Sequence, residues 1–245
     1  MPRVATLAER PDMRTAFQEF DAQWPPFMEQ DAAGWGFGAL ADILPHYQLL
    51  LLSDDGGTLL GHGHSGPIPW DGTDEGLPDQ GWDHVIGRCL HAHLSPRPTP
   101  AVSAFEIVVD PGLRGTGLST QLVRAMIDNS RRLGHTDLVA PVRPSAKDRE
   151  PRTPMSEYAF RVRPDGLPVD PWLRVHVRLG GKIVKVCPAA MSIAGSLRQW
   201  RAWSGLPLAD DGATIIPGAL APVHVSLAHD HGVYVEPNVW VRHRL

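Results

Sequence analysis

The chain is predicted to fold as an α/β protein around a mixed, largely antiparallel sheet with helices on both faces. Three stretches carry this reading. Residues 101–110 form an apolar strand pattern, 111–117 turn the chain with three glycines, and 118–133 place Leu122, Val123, Met126, Ile127 and Leu133 at helical spacing. Residues 136–142 then read as another strand, so strand, turn, helix and strand make a βαβ unit with a parallel pair at its centre. Upstream, 48–53 and 58–64 flank Asp54-Asp55-Gly56-Gly57, a turn of hairpin chemistry that supplies antiparallel pairing.

The remaining elements follow in order. Residues 4–7 suggest a strand, and Asp12 opens an amphipathic helix through Phe17, Phe20 and Trp24 that Pro25-Pro26 stops. A second helix is expected over 38–47. Residues 66–81, rich in Pro, Gly and acidic side chains, read as an exposed loop before a short helix over 82–94. Gly134 suits the C-terminal cap of helix 118–133. An Arg- and Pro-rich stretch over 143–169 precedes Asp170-Pro171, an N-cap with proline at the first helical position, and Gly180-Gly181 ends that helix. A strand over 182–186, a helix over 192–203 and at least two strands in 215–241, parted by Asp230-His231-Gly232, complete the chain.

With 245 residues, 42% of them hydrophobic, one core and one domain over 1–245 are expected, and 24 Pro beside 24 Gly imply many turns. A formal net charge of -4 provides no basic field for a nucleic-acid backbone or an anionic membrane surface, so neither is expected as a partner. Cys89 and Cys187 match no paired metal spacing, and the Met-Pro-Arg-Val start lacks a secretory apolar stretch, which makes the cytoplasm the expected compartment. No apolar run approaches the roughly 18 residues of a spanning helix.

A glycine turn between a strand and a helix converges backbone N–H groups and the positive helix end on one point, a site for a pyrophosphate. Here Ile107-Val108-Val109-Asp110-Pro111, the placement of Pro111 three before Arg114, and the run Arg114-Gly115-Thr116-Gly117-Leu118-Ser119 resemble the acetyl-CoA motif of the GCN5-related N-acetyltransferase family, V-x-P-x-x-(Q/R)-x-x-G-x-(G/A). The resemblance implies a sheet whose central parallel pair is splayed, with acetyl-CoA as co-substrate. Its pyrophosphate would lie on Arg114, Gly115, Thr116, Gly117, Leu118 and Ser119, and its pantetheine arm would run along Ile107, Val108 and Val109. A small-molecule amine would attack the thioester directly, with the N–H of Val108 or Val109 stabilising the oxyanion.

For proton transfer, Glu106 is the carboxylate inside the motif strand, expected on the face opposite to position 103, where family members often carry glutamate. His176 stands where the family often has a tyrosine acid, in a segment 176–181 that resembles Y-x-K-x-G-F, and Tyr158 is an alternative acid. Trp35, Trp70 and His64 are candidate walls of the acceptor pocket, which the long loops near 66–100 and 143–170 are expected to enclose. The arginines at 143, 149, 152, 161 and 163 read as a solvated loop or an anion-recognising lid. His62-Gly63-His64 and His91-Ala92-His93 have a spacing that chelates on a strand, but no metal is expected, because no Asp, Glu or Cys cluster is anchored to them in sequence. A monomer or homodimer is expected. Use of another acyl-CoA, or CoA binding without turnover, are the alternatives.

Overall fold

The computed structural model describes residues 2–245. Its regular elements are β1 (Arg3–Thr6), α1 (Arg14–Gln18), α2 (Gly36–Ile43), β2 (Leu49–Leu52), β3 (Leu59–Ile68), α3 (Gly81–Leu94), β4 (Ala101–Val109) and α4 (Leu118–Arg132). They continue with β5 (Asp137–Val142), α5 (Met155–Tyr158), α6 (Pro171–Arg178), β6 (Lys182–Gly195), α7 (Leu197–Ser204), β7 (Gly212–Thr214), β8 (Val223–Ser226) and β9 (His231–Arg244).

The strands join one sheet in the order β1-β2-β3-β4-β5-β9-β8-β7, with β6 also paired to β9. Its pairings are antiparallel except β4 with β5, the two strands joined by α4. That pair is in register only at Ala101↔Asp137, Val102↔Leu138 and Ser103↔Val139, after which β4 runs on to Val109 without β5 beside it. The central strands therefore splay, as expected. No helix among the described residues is long and apolar enough to cross a membrane.

Each face of the sheet is covered. On one, α4 buries Leu122, Val123, Met126 and Ile127 together with Val102, Ala104 and Val109, so the helical spacing in sequence is the packed stripe. On the other, Phe27, Trp82, Phe105, Trp200, Tyr234 and Trp240 form the larger cluster. Trp200 donates its buried indole N–H to Gly232 O at 2.7 Å, which leaves this aromatic layer without a polar cost at that atom.

Several boundaries differ from the sequence reading, each for a local reason. The helix expected from Asp12 to Trp24 stops at Gln18, because Trp24 is drawn across to β4 by a hydrogen bond described below. The helix expected over 38–47 begins at Gly36 and ends at Ile43, and Pro45 starts a separate 3-10 turn to Tyr47. The expected loop 66–81 begins as strand, since β3 reaches Ile68, and it buries Ile68 and Leu77. The helix placed over 192–203 starts only at Leu197, where Ser196 and Gln199 form a reciprocal capping box; Ser192 to Gly195 pair instead with β9.

Candidate active site

β3 and β4 are paired in register except at one point: His64 faces Glu106 and Ser65 faces Ala104, so Phe105 is the extra residue of a bulge. The bulge resets the alternation of side chains. Val102 and Ala104 before it, and Ile107 and Val109 after it, pack on the α4 side, which leaves Phe105 and Glu106 both on the opposite face. Glu106 thus shares a face with Ser103, contrary to the strict period-two expectation.

Around Glu106 the chain builds a cleft of about 740 Å³. One wall is β4 from Ala104 to Val109 and another is the end of β5 with Arg143; the turn 113–115 and the start of α4 close one end, and Trp172 and His176 of α6 line it. The N-terminal segment Ala22 to Glu29 supplies a further wall. Of the two loops expected to enclose an acceptor, 66–100 contributes Trp82 and 143–170 contributes Arg143, Ser145 and Asp148, so much of the enclosure comes from the N-terminal segment, which the sequence reading took for a helix end.

At the turn, Gly115 (φ +80°) and Gly117 (φ +91°) are left-handed, with open space where a Cβ would stand. Asp110 accepts from Gly112 N–H and Thr116 Oγ1 donates to Leu113 O, which fixes the turn from within. Gly117 caps α4, whose first-turn N–H groups have no intrahelical acceptor and point past these glycines. Arg114 and residues 115–117 are exposed, so an anion can reach those amides.

The edge of β4 facing the gap carries specific amides. Asp110 N–H donates to Leu60 O of β3, and alternation along an antiparallel ladder turns the Val108 amide the same way. The N–H groups of Ile107 and Val109 therefore face the gap left by β5.

Glu106, with 12% of its side chain exposed, accepts from Trp24 Nε1 at 2.6 Å and lies 3.2 Å from His62 Nε2 and 3.9 Å from His64 Nε2. Burial alone would push its carboxyl up, but the hydrogen bond to His62, the neighbouring imidazoles and the Trp24 indole together hold it below the ordinary value, so it is ionised at neutral pH. Burial, then the His62 charge, push His64 down to about 3. His64 is buried beside Glu106, its Nδ1 3.0 Å from Gln48 Oε1, and does not reach the cleft surface. The premise for expecting no metal thus fails: a carboxylate distant in sequence stands directly across from the His-x-His pair.

His176 is buried against His243, Nδ1 to Nε2 at 3.0 Å, with Trp172 edge-on at 4.9 Å; burial and then His243 push it down to about 3, so it is a neutral imidazole facing the cleft. Tyr158 does not line the cleft. Its hydroxyl donates to Asp170 Oδ2 at 3.0 Å, where Asp170 caps α6. Trp35 is 74% exposed and outside the lining, and Trp70 donates to Thr73 O beneath Arg242, in a separate outer groove beside α3. Arg143 is no solvated loop residue: Nε reaches both oxygens of buried Glu236 at 3.0 Å and Nη2 donates to Gly218 O. Arg161 and Arg163 pair with surface carboxylates nearby in sequence.

No protein-family model matches the chain. Over 98% of its length and 93% of the relative's, it is 30% identical to the arginine N-acetyltransferase avaD of Aspergillus versicolor. The chain belongs to the GCN5-related N-acetyltransferase family. This acetyltransferase shares its fold with the loading GNATL domain of CurA from Lyngbya majuscula, with a TM-score of 0.64 at 17% identity across 100% of this chain and 98% of that one. A GNAT-like decarboxylase, GphF in complex with isobutyryl-CoA, superimposes with a TM-score of 0.61 at 17% identity, covering 99% and 98% of the two chains. As a family member the chain is an acyl-CoA-dependent N-acyltransferase. Trp24, which hydrogen-bonds Glu106, is a residue of this candidate site that the sequence analysis does not single out, whereas His62 enters it only as half of the His-x-His pair. A tryptophan just before Pro25-Pro26 was the available signal for the first. For the second, the signal is the His62-Gly63-His64 spacing in a hairpin beside the motif strand, and the register then sets His62 3.2 Å from Glu106.

Proposed function

We propose that the enzyme moves the acetyl group of acetyl-CoA to the amine of a small cationic acceptor of the arginine type, by direct transfer with both substrates bound. The observation that carries this is the ionised Glu106 in the cleft, on the sheet face away from α4. The acceptor class is suggested by the relative's name, and the carboxylates Glu29, Asp148 and Glu106 in the lining suit a cation better than an anion. One domain acting in the cytoplasm, as a monomer or homodimer, is part of the same proposal.

In this reading the pyrophosphate is held by Arg114 and the amides of residues 115–119, and pantetheine lies along the β4 edge. Glu106 takes a proton from the ammonium, and the neutral amine attacks the thioester carbonyl. The oxyanion is held by the Ile107 or Val109 N–H. On collapse the thiolate leaves, and the second proton lost by the nitrogen neutralises it. His176, neutral and already paired to His243, contributes a hydrogen bond to the bound co-substrate rather than an imidazolium proton.

Thiol release from acetyl-CoA should be measured with arginine, lysine and an uncharged amine. Turnover with arginine, and a loss of roughly 10²- to 10⁴-fold in kcat for Glu106→Gln with CoA affinity unchanged, is expected. A Glu106→Gln enzyme with undiminished kcat would remove the base, and turnover restricted to uncharged amines would remove the acceptor class.

A further inference from the structure

We propose that His62, His64 and Glu106 form a binding site for a divalent cation of the zinc type, and that its occupation silences acyl transfer. The second half rests on the reading of Glu106 as the base; the first does not.

One ligand atom from each of the three residues lies within 4.8 Å of the others. Four-coordinate zinc with donors at about 2.0–2.1 Å spaces them roughly 3.3 Å apart, so the separations of 3.2 and 3.9 Å from Glu106 Oε2 call for only small adjustments. The backbone does the placing. His62 and His64 are two apart on β3 and so share a face, and the bulge at Phe105 sets Glu106 directly opposite His64 on that face.

The residues behind the ligands have the character of a metal site's support. Gln48 Nε2 donates to Leu44 O and Ser65 O, which fixes its amide so that Oε1 accepts from His64 Nδ1. Nε2, 3.9 Å from Glu106 Oε2, is then the ring nitrogen of His64 whose lone pair could ligate a cation. Trp24 takes the other carboxylate oxygen, leaving Oε2 for the histidines. Phe17, at 4.9 and 4.7 Å from the two imidazoles, and Phe20, at 5.2 Å from His62, exclude water on the far side and strengthen any charge interaction. As zinc ligands, two imidazoles and one carboxylate contribute a single negative charge, and Glu106 is the member of the three that lines the cleft. A cation on Oε2 occupies the lone pair that would receive the ammonium proton.

The test is calorimetric titration of the full, chelator-stripped chain with Zn²⁺, with Co²⁺ as a spectroscopic probe of tetrahedral geometry. One tight site is expected, weakened at least 100-fold in both His64→Gln and His62→Gln and unchanged in His91→Gln, which removes an exposed histidine. CoA binding by each variant reports whether it is folded. Equal Zn²⁺ affinity in wild type and both triad variants overturns the site. Stoichiometric Zn²⁺ should also abolish thiol release reversibly; tight triad-dependent binding with full turnover would keep the site and overturn the base, whereas an inactive Glu106→Gln beside a wild type that binds no Zn²⁺ tightly would keep the base and overturn the site.

Discussion

Replacing Asp83 by asparagine should stabilise the enzyme at high pH and leave it unchanged at low pH. Asp31 and Asp83, sequence neighbours of cleft residues Gly34 and Trp82, bring their carboxyl groups within hydrogen-bond reach of each other. Asp31 Oδ1 accepts from Ala33 N–H and Asp83 Oδ2 from Ser192 N–H, while Asp31 Oδ2 and Asp83 Oδ1 are buried with no donor among the described residues. Burial, then the Asp31 charge, push Asp83 from the usual 3.8 up to about 7. For a fully desolvated group such a shift is worth about 4 kcal/mol at about 1.4 kcal/mol per unit. Asp83 also borders the outer groove, and solvent screening there reduces the figure to about 2 kcal/mol. The sign follows from proton counting. Between about pH 4 and 7 the folded chain keeps a proton that the unfolded chain has released, so stability falls as pH rises through that window. Asparagine retains an oxygen for Ser192 N–H and offers Asp31 an N–H in place of the shared proton. Urea denaturation should show the variant more stable by about 1–2 kcal/mol near pH 8, with the difference vanishing toward about pH 4. A variant no more stable at high pH, or one whose advantage grows as pH falls, would refute the shared-proton pair.

Three further outcomes are expected. Gly117→Val places a branched side chain at φ +91°, a strain of about 1–2 kcal/mol at the amides proposed to hold the pyrophosphate, and calorimetry should show CoA binding weakened at least about tenfold. Arg114→Glu puts a like charge at the same point, so its loss of CoA affinity should be about 100-fold in dilute buffer and shrink as salt is added; a salt-independent loss would point to a misfolded turn. Arg143→Met strands Glu236, which is fully buried, and should cost about 3–5 kcal/mol in a denaturation experiment, whereas Arg143→Lys should cost less.

The parts of this molecule legible in sequence are those set by short-range chemistry. The β4 pattern, the left-handed glycines, the stripe on α4, the Asp170 cap and the hairpin at Gly56 depend on residues within one turn of each other, and each lies where the pattern put it. What was hidden depends on register. Whether Glu106 faces the cleft or α4 turns on one unpaired residue, Phe105, which nothing in the run Ala104-Phe105-Glu106 distinguishes from ordinary strand. Pairings such as Trp24 with Glu106, His176 with His243 and Arg143 with Glu236 span 82, 67 and 93 residues, beyond the reach of any spacing rule. Tyr158 shows the opposite error: a tyrosine in an irregular loop looks available until its hydroxyl is seen to be committed to the cap of α6.

The bulge also bears on how two substrates meet. In a strand the amides lie in the plane of the sheet and the side chains stand out of it, so β4 presents two kinds of group in two directions. Its in-plane edge, vacated where β5 diverges after Ser103, turns the Ile107 and Val109 N–H groups into the gap, where the proposed mechanism puts the thioester. Its out-of-plane face, the one away from α4, carries Glu106, the base of the proposed transfer, held by Trp24. Were alternation unbroken from Ala104 through Phe105, Glu106 would project toward α4 and the apolar cluster of Leu122 and Met126, where an ionised carboxylate has no partner. The bulge therefore lets a single strand present amides and a carboxylate at neighbouring positions in two directions, the arrangement that the proposed direct transfer needs and a covalent relay through the enzyme would not.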